Sequence, residues 1–237
     1  MPVALVTGAS AGLGLALAKE LARRQWSLVI DARDAKRLYR VADELSQLTE
    51  VNAVAGDVSV HQHRVELAAA VEAIGRLDLL VNNASTLGPT PLPPLSQLPL
   101  DELSEIMHVN VTGALGLIQL LLGRLRDSGG SIINISSDAA IEHYEGWGGY
   151  GAAKSALDHL TGTLAAENPG TPFYAVDPGD MRTAMHQAAF PGEDISDRPL
   201  PETVVPGLLA LIETRPPSGR YRAADLVHPR QAETVAS

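Results

Sequence analysis

Val3-Ala4-Leu5-Val6-Thr7-Gly8-Ala9-Ser10-Ala11-Gly12-Leu13-Gly14-Leu15-Ala16-Leu17 runs from an apolar strand, through a glycine-rich turn, into a helix-period segment. Glycines permit a tight turn and let backbone amides approach a diphosphate without a Cβ in the way. The start of the helix then faces that anion with unpaired N–H groups and the positive end of its dipole. Alone, such a turn is a weak signal. Placed between a strand and a helix at the head of an alternating chain, it has the context it requires.

The alternation continues to the far end. Apolar strands are expected at 3–6, 27–31, 51–55, 77–82, 131–136, 171–176 and 219–226, with helices at 12–24, 34–48, 60–75, 99–126, 149–167 and 201–213. This rhythm predicts an α/β fold, a single doubly wound parallel sheet of about seven strands with helices on both faces. The 237 residues suffice for one large domain, and no repeat or linker divides it. Two stretches break the rhythm: 87–99, with Pro89, Pro91, Pro93, Pro94 and Pro99, and 184–200, which mixes Met, His, Phe, Pro and Gly without period. Both follow strands at their carboxyl ends, where such sheets bind ligands, so both are candidate substrate-side loops. A plain surface connection is an equal reading of 87–99. The tail, about 230–237, is expected to fray.

Composition narrows the function. A formal net charge of -10 without any Lys/Arg cluster argues against nucleic acid as a partner. With no cysteine there is no disulfide, thiolate chemistry or zinc–thiolate site. No apolar run approaches the eighteen or so residues of a membrane span, so no membrane partner is expected. The N-terminus enters a strand directly, without a basic leader or cleavage site, which predicts a cytoplasmic address. His61 and His63 form a possible metal pair with no accompanying ligand set. Both are read as exposed at a helix start, and no metal is expected.

Chemistry concentrates in a second constellation. Tyr150, which opens Tyr150-Gly151-Ala152-Ala153-Lys154, lies thirteen positions after Ser137, at the end of the strand Ser131-Ile132-Ile133-Asn134-Ile135. A helix puts Lys154 on the same face as Tyr150, four residues away. A free phenol titrates near ~10, and a neighbouring ammonium favours phenolate. Lowering it to near 7 takes ~4 kcal/mol, so Lys154 is expected to depress the Tyr150 pKa. Lysine is also rare here: of eighteen basic residues only Lys19, Lys36 and Lys154 are not arginine. Arginine, always protonated, could not relay a proton at position 154. Ser137 can hydrogen-bond a carbonyl oxygen, and Tyr150 can exchange a proton with it. An ordinary helix with a Tyr and a Lys is the bland alternative.

The spacing Gly8-x-x-x-Gly12-x-Gly14 together with the Tyr150–Lys154 run resembles the short-chain dehydrogenase/reductase family, over roughly residues 2–226. Further motifs match in order: Gly56-Asp57-Val58, Asn82-Asn83-Ala84-Ser85, Asn110 in Val109-Asn110-Val111, and Pro178-Gly179 with Thr183. Ser85 departs from the family's glycine at that place. The resemblance implies a Rossmann-like fold and an NAD(P)-dependent oxidoreductase that reduces a carbonyl or oxidises a secondary alcohol. It implies catalytic Asn110, Ser137, Tyr150 and Lys154. Cofactor contacts would come from Gly8, Ser10, Gly12, Leu13, Gly14, Asp57, Val58, Asn83, Ala84, Tyr150, Lys154, Pro178, Gly179 and Thr183. Asn110 would kink its helix and anchor a relay water, and Thr183 would hold the carboxamide.

The second strand ends Asp31-Ala32-Arg33. The family's acidic NAD position aligns with Ala32 and its basic NADP position with Arg33. NADP(H) is therefore expected, with Arg33 on the 2′-phosphate, and NAD(H) is the alternative. Asp31 should point away, since neighbouring strand residues face opposite sides. Asp177, before Pro178, is given no role. The apolar helix 109–126 implies burial on more than one side. Family members pair through it and the Tyr150 helix, so a homodimer is expected. A tetramer is the weaker choice, because the chain lacks the usual C-terminal ending of tetrameric members. Asp138, Glu142, His143, Tyr144, Glu145 and Trp147 hint at a polar carbonyl substrate, as a solvated loop equally would. The rival function is a nucleotide-binding regulator or scaffold without turnover; a dehydratase or epimerase would need an extra substrate region.

Overall fold

Residues 1–227 are described by the computed structural model; the expected frayed tail lies outside them. Seven parallel strands form one sheet in the order β3-β2-β1-β4-β5-β6-β7. They are β1 Val3–Val6, β2 Ser27–Ala32, β3 Val51–Ala55, β4 Leu79–Asn82, β5 Ser131–Ile135, β6 Phe173–Asp177 and β7 Gly219–Arg222. The order reverses direction between β1 and β4, the doubly wound, Rossmann-like arrangement, and opens a crevice at the carboxyl ends of those two strands.

The five inner strands read as near-continuous apolar runs because both faces are covered, whereas edge strands β3 and β7 are only partly buried. Ala4, Val6, Leu28, Ile30, Val81 and Ile133 point into one layer, under helices α1 (Gly12–Arg23), α2 (Ala35–Leu45) and α8 (Val205–Thr214). Val3, Leu5, Val29, Leu80, Ile132 and Phe173 point into the other. That layer is closed by α3 (His61–Ile74), α5 (Gly113–Ser128) and the far end of α6 (Gly148–Glu167).

The long apolar helix is not regular. α4 (Leu100–Met107) passes through a π-turn, His108–Thr112, into α5. π-turns inside helices cluster at functional sites. The path Leu100–Ser128 is, by length and composition, long and apolar enough to cross a membrane, contrary to expectation. His108, Asn110, Thr112 and Gln119 interrupt every apolar run, yet the average stays high. Half of that window is buried inside the protein.

Three further expectations are corrected. The last strand stops at Arg222, and Ala223–Val227 forms a short helix, α9. The stretch 184–200 is not all loop, since Thr183 caps a short α7 (Ala184–Ala189) through His186 N–H. His63 is buried against Asp31, whereas His61 is exposed as expected.

Candidate functional site

At the carboxyl ends of β1 and β4 lies a cleft of about 560 Å³. The glycine turn forms its floor. Gly8 and Gly12 have φ of +65° and +53°, which side chains disfavour. A Cβ on Gly14 would stand 2.5 Å from Gly8 O and Asn83 Nδ2, so this glycine lets α1 pack onto the turn rather than lining the cleft. The N-cap of α1 is Ala11, which offers no side-chain oxygen to the helix's first N–H groups. Those donors face an anion site with no internal competitor.

Thr7 staples the next wall to this floor. Its Oγ1 accepts the N–H groups of Asn83 and Ala84 at 2.9 Å, while Asn83 Nδ2 donates to Thr7 O. Ser10, Leu13, Val58, Pro178, Gly179 and Thr183 line the same cleft. At its outer end Arg33 is exposed, with Nη1 3.9 Å from Asp57 Oδ2. Asp57 also caps its own turn through Ser59 N–H. Asp31, expected to point away, borders the cleft, but it is buried and both its oxygens are taken by internal partners. Its Oδ1 accepts Gly8 N–H at 2.8 Å and its Oδ2 meets His63 Nε2 at 2.9 Å.

At the inner end, Ser137, Tyr150 and Lys154 converge. Lys154 sits on α6 one turn beyond Tyr150, with Nζ 5.4 Å from the phenol ring centroid and donating to Ile135 O at 2.7 Å. The expected depression of the Tyr150 pKa is not what the structure shows. Burial pushes the phenol up to about 12, and the neighbouring hydroxyls of Ser85 and Ser137 only partly oppose it. Burial also brings Lys154 down to about 8. Sequence spacing places the two groups together but says nothing of how far each is desolvated, and desolvation is the larger effect. Ser137 is itself engaged: its Oγ donates to Asp138 Oδ1 at 3.0 Å and accepts Ala139 N–H at 3.2 Å.

Asn110 lies in the π-turn, buried, behind the cleft wall. Its Oδ1 accepts from Ser85 Oγ at 2.5 Å and Thr86 N–H at 3.1 Å, and its Nδ2 donates to Thr86 O at 2.8 Å. The side chain thus ties the helix to the turn after β4.

Several contributors went unread in the sequence. Asp177 has a place after all: its Oδ1 accepts Gly179 N–H at 2.9 Å, fixing the Pro178-Gly179 turn. Arg220 on β7 reaches Asp177, Asp158 and, at 2.9 Å, Ser137 O, bracing the base of the inner site. A charged residue ending an apolar strand was the available signal. Trp147 packs edge-on to Tyr150 at 5.7 Å and against Phe190, which stacks on His186 of α7. His186 Nε2 is buried without a hydrogen-bond partner among the described residues and lines the cleft. Of the segment 138–149, only Asp138 and Trp147 line it; Glu142, His143 and Glu145 are exposed, so they lend no support to a polar substrate. In 87–99, Leu87 lines the cleft, while Leu92 and Leu95 pack beside Gly146 and Gly148 at the start of α6. No cluster of three or more metal-ligating side chains occurs among the described residues.

A dinucleotide fits these residues. An uncapped helix start and two left-handed glycines would suit a diphosphate, exposed Arg33 borders one end of the cleft, and the buried Tyr150–Lys154 pair stands at the other. Comparison with known proteins agrees. Mouse sepiapterin reductase is 35% identical over 201 residues, covering 79% of this chain and 77% of that protein. The 2-(R)-hydroxypropyl-CoM dehydrogenase of Xanthobacter autotrophicus is 34% identical, covering 84% and 82%. The alcohol dehydrogenase of the archaeon Thermococcus sibiricus, solved with 5-hydroxy-NADP, superimposes with a TM-score of 0.85 at 29% identity, covering 94% of this chain and 95% of that one. Residues 2–194 match the short chain dehydrogenase family as a whole, and the chain belongs to that family of oxidoreductases.

Proposed function

We propose that the protein reduces a carbonyl group, or oxidises the corresponding secondary alcohol, with NADP(H) preferred over NAD(H). The observation that carries this reading is the convergence of Ser137, Tyr150 and Lys154 at the inner end of a nucleotide-shaped cleft. A nicotinamide cofactor, when bound, supplies or accepts the hydride. The chain's own residues supply the rest.

Tyr150 is the acid–base group. A phenol held at about 12 is protonated at neutral pH, so it enters the reductive direction ready to give its proton to the developing alkoxide. Ser137 Oγ polarises the carbonyl oxygen by turning its hydrogen from Asp138 toward it. Lys154, poised near 8, holds the ribose end of the cofactor and stands beside Tyr150 as a cation. Asn110 fixes the π-turn and the 85–86 turn behind the phenol. Arg33 is assigned to the 2′-phosphate. Its one ion pair among the described residues is loose and exposed on the arginine side, and such a pair is weak enough to exchange for phosphate. The dehydrogenase and reductase names of the relatives, and the NADP analogue in the archaeal structure, support the same reading. One dinucleotide-binding and catalytic domain, acting as a homodimer in the cytoplasm, completes it.

The test is a fluorescence titration with NADPH and NADH, followed by cofactor oxidation at 340 nm across a carbonyl panel, for wild type and Tyr150→Phe. The expected result is tighter NADPH binding, and turnover that Tyr150→Phe abolishes at unchanged cofactor affinity. Turnover retained in Tyr150→Phe would remove the acid–base assignment. Binding of either cofactor without turnover on any carbonyl would favour a regulator on this fold.

A further inference from the structure

Ser85 stands where the family's turn carries glycine; its Oγ donates to Asn110 Oδ1 at 2.5 Å, and it lines the cleft together with Tyr150, whose ionised form it favours. We propose that Ser85 is a third hydroxyl of the acid–base site, a rotor that donates to Asn110 Oδ1 while Tyr150 is protonated and swings to donate to the Tyr150 oxygen when its proton has gone. The inference rests on the oxidoreductase reading only for its catalytic consequence; the hydroxyl's movement is a property of the protein alone.

Three features of the geometry favour a rotor. A serine hydroxyl has one hydrogen and two lone pairs. In the state observed that hydrogen goes to Asn110 Oδ1 at 2.5 Å, so it is not on the phenol side of the hydroxyl. Asn110 Oδ1 keeps Thr86 N–H at 3.1 Å whichever way Ser85 points, so the swing leaves no buried acceptor unpaired. Asn110 cannot itself follow, because its Nδ2 is held by Thr86 O. The serine, not the asparagine, is the moving part.

Tyr150 needs such a partner. Ser137, the other hydroxyl beside it, already donates to Asp138 and is assigned to the substrate oxygen. The charged groups facing the phenol are mixed: Lys154 on its own helix, Asp138 after β5 and Asp177 at the end of β6, the two carboxylates both opposing ionisation. Arg220 on β7, against Ser137 O and Asp177, and Asp180 and His186 across the cleft are further charged or titratable neighbours. A donor that arrives as the negative charge appears, and withdraws as it is quenched, stabilises the phenolate without leaving a buried orphan. In the reductive step the Tyr150 O–H bond breaks and an O–H bond forms on the substrate oxygen. Ser85 keeps its own proton throughout and changes only its direction.

The test replaces tyrosine by 3-fluorotyrosine, a more acidic phenol, in the full chain and follows the residue-150 resonance by ¹⁹F NMR against pH. Tyr150→Phe supplies the assignment. Ser85→Ala and Ser85→Gly should raise the midpoint by about 1 to 2 units, the scale of one hydrogen bond to a charged group. Ser85→Thr, which keeps the hydroxyl, should restore it. In the oxidative direction, where phenolate is the working form, the same variants should lower kcat about tenfold per unit on the acidic limb and move its inflection upward. NADPH affinity should hold. Coincident midpoints in wild type, Ser85→Ala and Ser85→Gly would overturn the proposal, and turnover in the same samples would leave the oxidoreductase reading standing. Separated midpoints in a protein without turnover would keep the rotor and remove the oxidoreductase reading.

Discussion

His63→Ala tests the least expected contact in the molecule. Asp31 is 1% exposed and His63 4%, and their 2.9 Å contact crosses from the end of β2 to the first turn of α3. Truncating one member of a buried pair leaves the other charge stranded, at a cost of about 3–5 kcal/mol. Asp31 keeps Gly8 N–H, which argues for the lower end, ~3 kcal/mol. For a chain of this length that lowers Tm by roughly 6–12 °C. The loss should depend on pH. Burial already raises the Asp31 pKa, and without His63 it rises further. A raised folded-state pKa contributes stability below the unfolded value and loses it as pH rises through the folded one, so the variant's deficit narrows in acid. Gly56 supplies an independent check. A Cβ there would stand 2.2 Å from His63 Nδ1, so Gly56→Ala should cost about 1–3 kcal/mol in the wild-type background and little in His63→Ala. Urea denaturation of the four proteins, with His63→Gln as the conservative replacement, measures both terms. A His63→Ala cost below about 1 kcal/mol, or an equal Gly56→Ala cost in both backgrounds, would refute the reasoning.

Two predictions concern function and assembly. Arg33→Ala should weaken NADPH binding about 10- to 100-fold, the scale of one charge-assisted contact, and leave NADH within about twofold; equal loss for both would remove the phosphate assignment. Light scattering should give twice the 25.0 kDa chain mass, and Leu120→Glu, at a 40% exposed leucine on α5, should shift it to one. A wild-type monomer at micromolar protein would end the dimer proposal.

The parts of the fold that were legible are those set by local pattern. The central strands read as apolar runs, and the glycine turn marks the carboxyl-end crevice. The tyrosine run likewise put Ser137, Tyr150 and Lys154 in one place, because a strand end and an i,i+4 helix pair fix them by short-range geometry. What failed depended on distance in the chain. The Tyr150 pKa is set by the sum of everything packed around it, from Ser85 to Asp177. No spacing between positions 150 and 154 contains that sum. His63 looked exposed because a helix start usually is, and its partner lies 32 residues earlier.

A partial signal existed even there. Asp31 and Asp177 each sit in an otherwise apolar strand, and a carboxylate in that setting must be paired or protonated. Sequence therefore announces that a partner exists without naming it. The structure supplies His63 and Gly8 for one, and Gly179 with Arg220 and Arg222 for the other. Asn134 on β5 follows the same logic, bridging Asn82 and Thr161 with both amide ends. Each of these groups lies at or near the carboxyl edge of the sheet, and each ties down a segment that walls the cleft. The polar residues that break the apolar pattern are thus the ones that position the site.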